Sequence, residues 1–225
     1  MSDDQDQSGR RVALVADAGF YVGPALCREL VRRGHHLVVG DPAEGLVEEL
    51  EAEGAQVEVV TGVRNLADPE SAPKLVVAGL ERFGRIDAAA AASGQIVTGR
   101  FVNSSLDDLH KVISGCLEAP YHFLKATVAP MIEAGGGQIL VITSASAARP
   151  TPGAPLYSSA RAGATMLVRN VADEVARTGV QVNAVGTNFM DFPEFLRATG
   201  ATDPEVRAKV ESRVPMRRLG TMEEF

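Results

Sequence analysis

The chain has 225 residues, 45% hydrophobic and 23% charged, a length at which a single α/β domain can bury a substantial core. No apolar run approaches the roughly 18 residues a membrane span needs. Its 22 Lys and Arg against 29 Asp and Glu leave a net charge of -7, which gives no basic footprint for nucleic acid. The first ten residues, MSDDQDQSGR, have neither a cationic start nor an apolar stretch, so residues 1–10 are expected to be a flexible polar tail and the cytoplasm is the default location.

Residues 11–16 (RVALVA) read as a first strand, followed by a glycine-containing loop and a helix over 24–33, with Pro24 suited to its first turn and Gly34 to the position past its end. Residues 37–39 read as a strand ending at Gly40 and Asp41, 44–53 as an acidic helix stopped by Gly54, and 56–60 as a third strand. A helix over 74–83 closes at Gly84. The alanine run at 86–92 suits helix by propensity, but it falls where the alternation demands a buried strand, and small side chains let helices pack closely on both sheet faces. Apolar periodicity over 106–132 predicts one long helix with a kink or break at Pro120, ended by Gly135, Gly136 and Gly137. Residues 138–143 read as a strand, 156–177 as a helix and 180–185 as a sixth strand. Residues 186–202 lack a period yet hold Phe189, Met190, Phe192, Phe195 and Leu196, the composition of a lid or pocket wall. Strands alternating with helices predict a single Rossmann-like α/β domain over 11–225, a doubly wound parallel sheet whose ligands bind at the carboxyl ends of the strands.

Ser144 ends the fifth strand, Tyr157 follows thirteen positions later, and Arg161 stands one helical turn beyond it on the same face. A phenol is a poor base at neutral pH unless a fixed positive charge stabilises its phenolate, and a guanidinium is such a charge. Ser144, with no histidine nearby in sequence, suits a positioning hydroxyl beside the phenol. The three are the expected catalytic residues. Cys27 and Cys116 read as buried reduced thiols without a catalytic role. His35, His36, His110 and His122 lack ligand spacing with carboxylates, so no metal is expected.

On these residues the chain resembles the short-chain dehydrogenase/reductase superfamily, whose signature is a serine, a tyrosine and a lysine four residues on. Arg161 stands where that lysine would. Ser-Tyr-Arg at these spacings is the pattern of the halohydrin dehalogenases, a cofactor-free branch of the fold, and the runs TSAS (143–146) and YSSARAGA (157–164) are similar to theirs. A dehydrogenase of the superfamily would follow its first strand with Thr-Gly-x-x-x-Gly-x-Gly, whose glycines let backbone approach a pyrophosphate. Here the window reads ADAGFYVG (16–23): Asp17 replaces the first glycine, Tyr21 the second, and Gly23 remains. A carboxylate and an aromatic ring both oppose dinucleotide binding. Gly62 stands where the superfamily has an adenine-contacting aspartate, and Cys116 where it has a proton-relay asparagine.

The resemblance therefore implies a halohydrin dehalogenase without cofactor, turning vicinal haloalcohols into epoxides and opening epoxides with azide, cyanide, nitrite or halide. Ser144 and Tyr157 would hold the hydroxyl, Tyr157 would take its proton, and Tyr21, Thr187, Asn188, Phe189 and Met190 would wall the halide site. It also implies a homotetramer built through the long helices; the superfamily normally continues through a further helix and strand where this sequence reads RRLGTMEEF, so either the sequence is shortened or the fold is completed differently. Two alternatives fit the same residues: an NAD(P)-dependent short-chain dehydrogenase/reductase carrying arginine for lysine, and a catalytically silent scaffold.

Overall fold

A computed structural model describes residues 9–225, so residues 1–8 of the expected tail lie outside the described residues. Six strands form one sheet: β1 Arg11–Val15, β2 His35–Gly40, β3 Val57–Val60, β4 Ala88–Ala92, β5 Gly137–Ser144 and β6 Val180–Thr187. Their order is β3-β2-β1-β4-β5-β6, and the β1/β2, β1/β4, β2/β3 and β4/β5 pairs are all parallel. The order reverses between β1 and β4, which places the ligand crevice beyond their carboxyl ends. The Rossmann-like α/β class expected from the sequence is the one observed.

The sheet is covered on both faces because its central strands are apolar on both. Along β1, Val12 and Leu14 join a cluster with Leu75, Phe123, Ile139 and Val168, while Ala13 and Val15 join another with Cys27, Leu37, Leu46 and Leu50. The period of two separates them. The first cluster draws on helices α3 Ser71–Phe83, α5 Ala119–Glu133 and α6 Pro155–Val175, the second on α1 Gly23–Arg32 and α2 Leu46–Ala52. The polyalanine stretch is strand β4, paired on both sides. Its helix propensity yields to the ladder, and its small side chains serve close packing.

The long helix expected over 106–132 is interrupted. Helix α4 Leu106–Ile113 begins on a Ser105 capping box with Asp108, passes into a π-helical turn over Ser114–Glu118, and resumes as α5 with Pro120 in its first turn. Pro120 has no N–H to give, and the Ala119 N–H reaches back to Ser114 O, so the ladder slips by one residue there. Gly115 in the slipped turn lies so close to the β4 extension that a Cβ would stand 2.7 Å from Gln95 N.

The described chain divides into two compact units, one ending at Gly186 and one over Thr187–Phe225. The second holds helices α7 Pro193–Thr199 and α8 Pro204–Glu211. Its core is Ala201, Val210 and Leu219, packed by Phe189, Phe195, Leu196 and Val206, and Met190 forms a parallel bridge with Gly220. The apolar residues expected in a lid or pocket wall thus build a small core of their own. Among the described residues no helix is long and apolar enough to cross a membrane.

Candidate active site

Helix α6 opens with Pro155 in its first turn, which presents Tyr157 half-buried at the start of the helix and Arg161 one turn deeper. The Arg161 guanidinium lies over the Tyr157 ring, 5.2 Å from its centroid, so the spacing read from the sequence does bring the two together. Arg161 is only 5% exposed. It donates to Ser93 O and, at 3.4 Å, to Ile142 O, so it is clamped between the ends of β4 and β5. No carboxylate faces it among the described residues, and its Nε is buried without a partner. A buried cation balanced only by carbonyls and a ring face is a poor device for stability, which points to a functional reason for keeping it. Gly94, at φ 150°, is needed beside it: a Cβ there would stand 2.1 Å from Arg161 Nη2.

Ser144 ends β5, two residues after the carbonyl that Arg161 holds. Its Oγ accepts from Ser146 N at 3.2 Å and from Ser146 Oγ at 2.9 Å. With both acceptor positions used, the Ser144 hydroxyl hydrogen is left to donate outward. The buried Ser146 was not singled out by the sequence reading, although its place two residues along the TSAS run was the available signal. Among the described residues no hydrogen bond joins Ser144 to Tyr157, so the serine is oriented by Ser146 rather than by the phenol.

Cys116, in the π-helical turn, donates to Gln95 O at 3.6 Å. Burial pushes its thiol up, against a smaller opposing pull from Arg161; burial pushes Cys27 up to about 12, with Arg28 opposing. Both thiols are therefore expected to resist a thiol-specific reagent at neutral pH in the folded protein and to react on denaturation, in line with the sequence reading. Rapid labelling of either thiol without denaturant would contradict it.

The loop after β1 carries its two unusual side chains without losing its path. Tyr21 holds φ 55°, the left-handed conformation that glycine adopts most readily. Gly23 remains essential, because a Cβ there would lie 2.0 Å from Asp17 O. Asp17 is 6% exposed, accepts from Gly19 N at 3.1 Å, and is paired with Arg64 Nε at 3.3 Å. Burial nevertheless leaves its carboxyl above the usual carboxylate range, with the Arg64 charge and the Gly19 N–H opposing. Asp41, at the end of β2, turns its carboxylate onto Gly62 N at 2.7 Å and Val63 N at 2.8 Å. Arg64 lines a shallow groove of about 550 Å³ with Asp41, Val59, Thr61 and Gly62. Sequence reasoning missed Arg64 entirely; nothing in the local sequence signals a residue that acts across two strand ends.

The profile of the family described as enoyl-(acyl carrier protein) reductase matches residues 21–225. The chain is 30% identical over 219 residues to a 3-oxoacyl-(acyl-carrier-protein) reductase of Synechocystis sp., covering 95% of this chain and 85% of that one. It is 26% identical over 214 residues to a 2,5-dichloro-2,5-cyclohexadiene-1,4-diol dehydrogenase of Sphingobium indicum, covering 93% and 83%. The fold matches NAD+-bound xylitol dehydrogenase with a TM-score of 0.84 at 24% identity, over 95% of this chain and 88% of that one. The chain belongs to this reductase family within the short-chain dehydrogenase/reductase superfamily.

These relatives overturn the halohydrin dehalogenase reading, and with it the carbon–halide lyase assignment, because they are dehydrogenases and reductases. The physical error lies in the loop. Asp17 and Tyr21 oppose a dinucleotide less than their residue types imply, because Arg64 offsets part of the charge of the first and the second keeps a glycine-like backbone. The residues expected to wall a halide site lie as follows. Phe189 packs against Phe195, with ring centroids 5.6 Å apart, in the core of the second unit, and Met190 Sδ lies where a Cβ on Gly220 would be 2.8 Å away. Thr187 and Asn188 lead into that unit, while Tyr21 belongs to the first. Cofactor independence, expected from this loop together with Arg161, Gly62 and Cys116, is not supported by relatives that are dehydrogenases and reductases.

The fold family implies a nicotinamide dinucleotide, and the residues present fit one. Gly19 in the loop after β1 and Gly40 at the end of β2 let the two strand ends approach closely, since a Cβ would stand 2.3 Å from Asp41 O at Gly19 and 2.1 Å from Ala16 O at Gly40. The groove beside them carries the Arg64 guanidinium, a donor suited to phosphate. Arg161, Tyr157 and Ser144 stand at the carboxyl ends of β4 and β5.

Proposed function

We propose that the protein is an NAD(P)-dependent oxidoreductase that interconverts a hydroxyl and a carbonyl group. The observation that carries this reading is the Tyr157–Arg161 pair at the carboxyl ends of β4 and β5, with Ser144 two residues beyond the carbonyl that Arg161 holds. The relatives named as 3-oxoacyl reductase and diol dehydrogenase support a carbonyl or alcohol substrate.

A bound nicotinamide dinucleotide supplies or accepts the hydride. The chain's own residues manage the proton. Tyr157 gives its hydroxyl proton to the carbonyl oxygen in reduction and takes it back in oxidation. Ser144, its acceptor positions already filled by Ser146, donates to the same oxygen and fixes where it sits. Arg161 holds permanent positive charge against the Tyr157 ring, where it counters negative charge developing on the phenol oxygen. The residues Asp17, Gly19 and Gly23 shape the loop at the start of α1, and Arg64, which lines the neighbouring groove, would hold phosphate.

Incubation with NADPH or NADH and a 3-oxoacyl thioester or a cyclic diketone tests this. Loss of reduced-nicotinamide absorbance dependent on the protein is the expected result. Absence of any such loss, from a preparation shown to bind the nucleotide, would count against the hydroxyl–carbonyl assignment.

A further inference from the structure

Between the ends of β1, β2 and β3 two carboxylates and one guanidinium share a small space. The Asp17 carboxylate is almost wholly buried and its sole cationic partner among the described residues is Arg64, at 3.3 Å. Asp41 faces the same region from the end of β2, but its carboxylate is occupied by the Gly62 and Val63 N–H groups, and Arg64 Nη2 reaches only its carbonyl, at 3.4 Å. The remaining donor on Asp17 is the Gly19 N–H, at 3.1 Å. The Arg64 side chain is 59% exposed while that of Asp17 is 7% exposed. The cation is free to move toward solvent and its partner is not.

A dinucleotide bound at this loop brings phosphate charge to the groove that Arg64 lines, and Arg64 is the cation of that lining. Arg64 holds Asp17 through Nε alone, at 3.3 Å, and its side chain is more than half exposed, so a guanidinium that turns its fork toward a phosphate in the groove draws away from the buried carboxylate. A phosphate offers a bidentate, more exposed and more highly charged acceptor, so it wins the guanidinium. Asp17 is then left buried, without a cation and facing Asp41, a setting in which an ionised carboxylate is costly and the protonated acid is favoured. Its carboxyl is already raised by burial while Arg64 is still in place.

Resting on the NAD(P)-dependent reading, we infer that Arg64 is a shared cation, paired with Asp17 in the free protein and transferred to a phosphate of the bound dinucleotide, so that binding places a proton from solvent on Asp17. The aspartate that replaces the first loop glycine is thereby a proton-coupled competitor of the cofactor. Binding tightens as pH falls, and weakens as pH rises and Asp17 holds Arg64 back.

Isothermal titration of the full-length chain with NADPH, and separately with NADH, in two buffers of different ionisation enthalpy counts the protons taken up. Net uptake approaching about one proton at mildly acidic pH is expected, with affinity falling by up to about tenfold per pH unit across that same range and levelling off above it. Asp17→Asn removes the competing charge while keeping the side-chain shape; it is expected to bind about tenfold more tightly, with uptake abolished and a flat pH profile. Arg64→Ala is expected to bind about tenfold more weakly. Saturable binding with no proton uptake by the native chain, or uptake and affinity that Asp17→Asn leaves unchanged, overturns the inference while the NAD(P) reading stands. Failure of the native chain and of Asp17→Asn alike to bind either nucleotide overturns that reading and the inference with it. The proton count on the native chain needs no variant to fold.

Discussion

Tyr157→Phe is expected to lower kcat by about 10²- to 10⁴-fold, the range over which a positioned acid–base group contributes, while leaving the fold intact. The substitution removes one oxygen and keeps the ring, which packs against Val112, Cys116 and Ala160 and carries the Arg161 guanidinium over its face. The hydroxyl makes no hydrogen bond among the described residues, so no buried partner is orphaned. Stability should move by no more than about 0.5 kcal/mol. Chemical denaturation beside steady-state kinetics separates the two effects. A variant that retains full turnover would show that the proton travels by another group; one that loses activity only because it unfolds would say nothing for Tyr157, and the denaturation curve distinguishes the cases.

Gly23→Ala should damage both stability and nucleotide binding. A Cβ at this position would lie 2.0 Å from Asp17 O and 3.0 Å from Ala18 Cα. Both are backbone atoms of the loop itself, so no side chain can swing aside and the loop must open. Overpacking of this kind costs about 1–3 kcal/mol, and more where backbone has to move. The displaced atoms belong to the turn that joins β1 to α1, where Gly23 N bonds to Phe20 O and Ala18 N to Gly40 O. Opening it would break up the backbone surface offered to a dinucleotide. A lowered Tm with an affinity drop greater than tenfold is expected. Normal binding by this variant would mean that the loop after β1 is not where the nucleotide sits.

The sheet was legible because glycine and proline punctuate apolar runs of strand length, and β4 was found by position in the alternation although its five alanines favour helix. Pro120 announced a break in the long helix, but the form of the break depended on Gly115 meeting the backbone of Gln95, a contact no linear pattern contains. Residues 186–202 lack a period in the sequence yet contain α7, and no element was assigned from the sequence to 203–225, where α8 lies. Its signals were present, since Asp203 caps α8 by accepting from Glu205 N and Val206 N, ahead of Pro204 in the first turn.

At the site, Tyr157 and Arg161 lie on one helix, so their meeting follows from spacing alone. Arg64 acts on Asp17 across the ends of two strands, and only the assembled sheet brings them together. That difference explains the misassigned function. Asp17 and Tyr21 could be seen in the sequence, whereas the cation that offsets part of the charge of one and the φ of 55° adopted by the other could not.

The most direct test of the proposed function is a titration of the protein into NADH and into NADPH, following the nicotinamide's own fluorescence; with no tryptophan in the chain, intrinsic tryptophan quenching cannot serve. The proposed function predicts saturable binding of at least one of the two nucleotides at one site per chain. No change in nicotinamide emission with either nucleotide, at acidic as well as neutral pH, would contradict it.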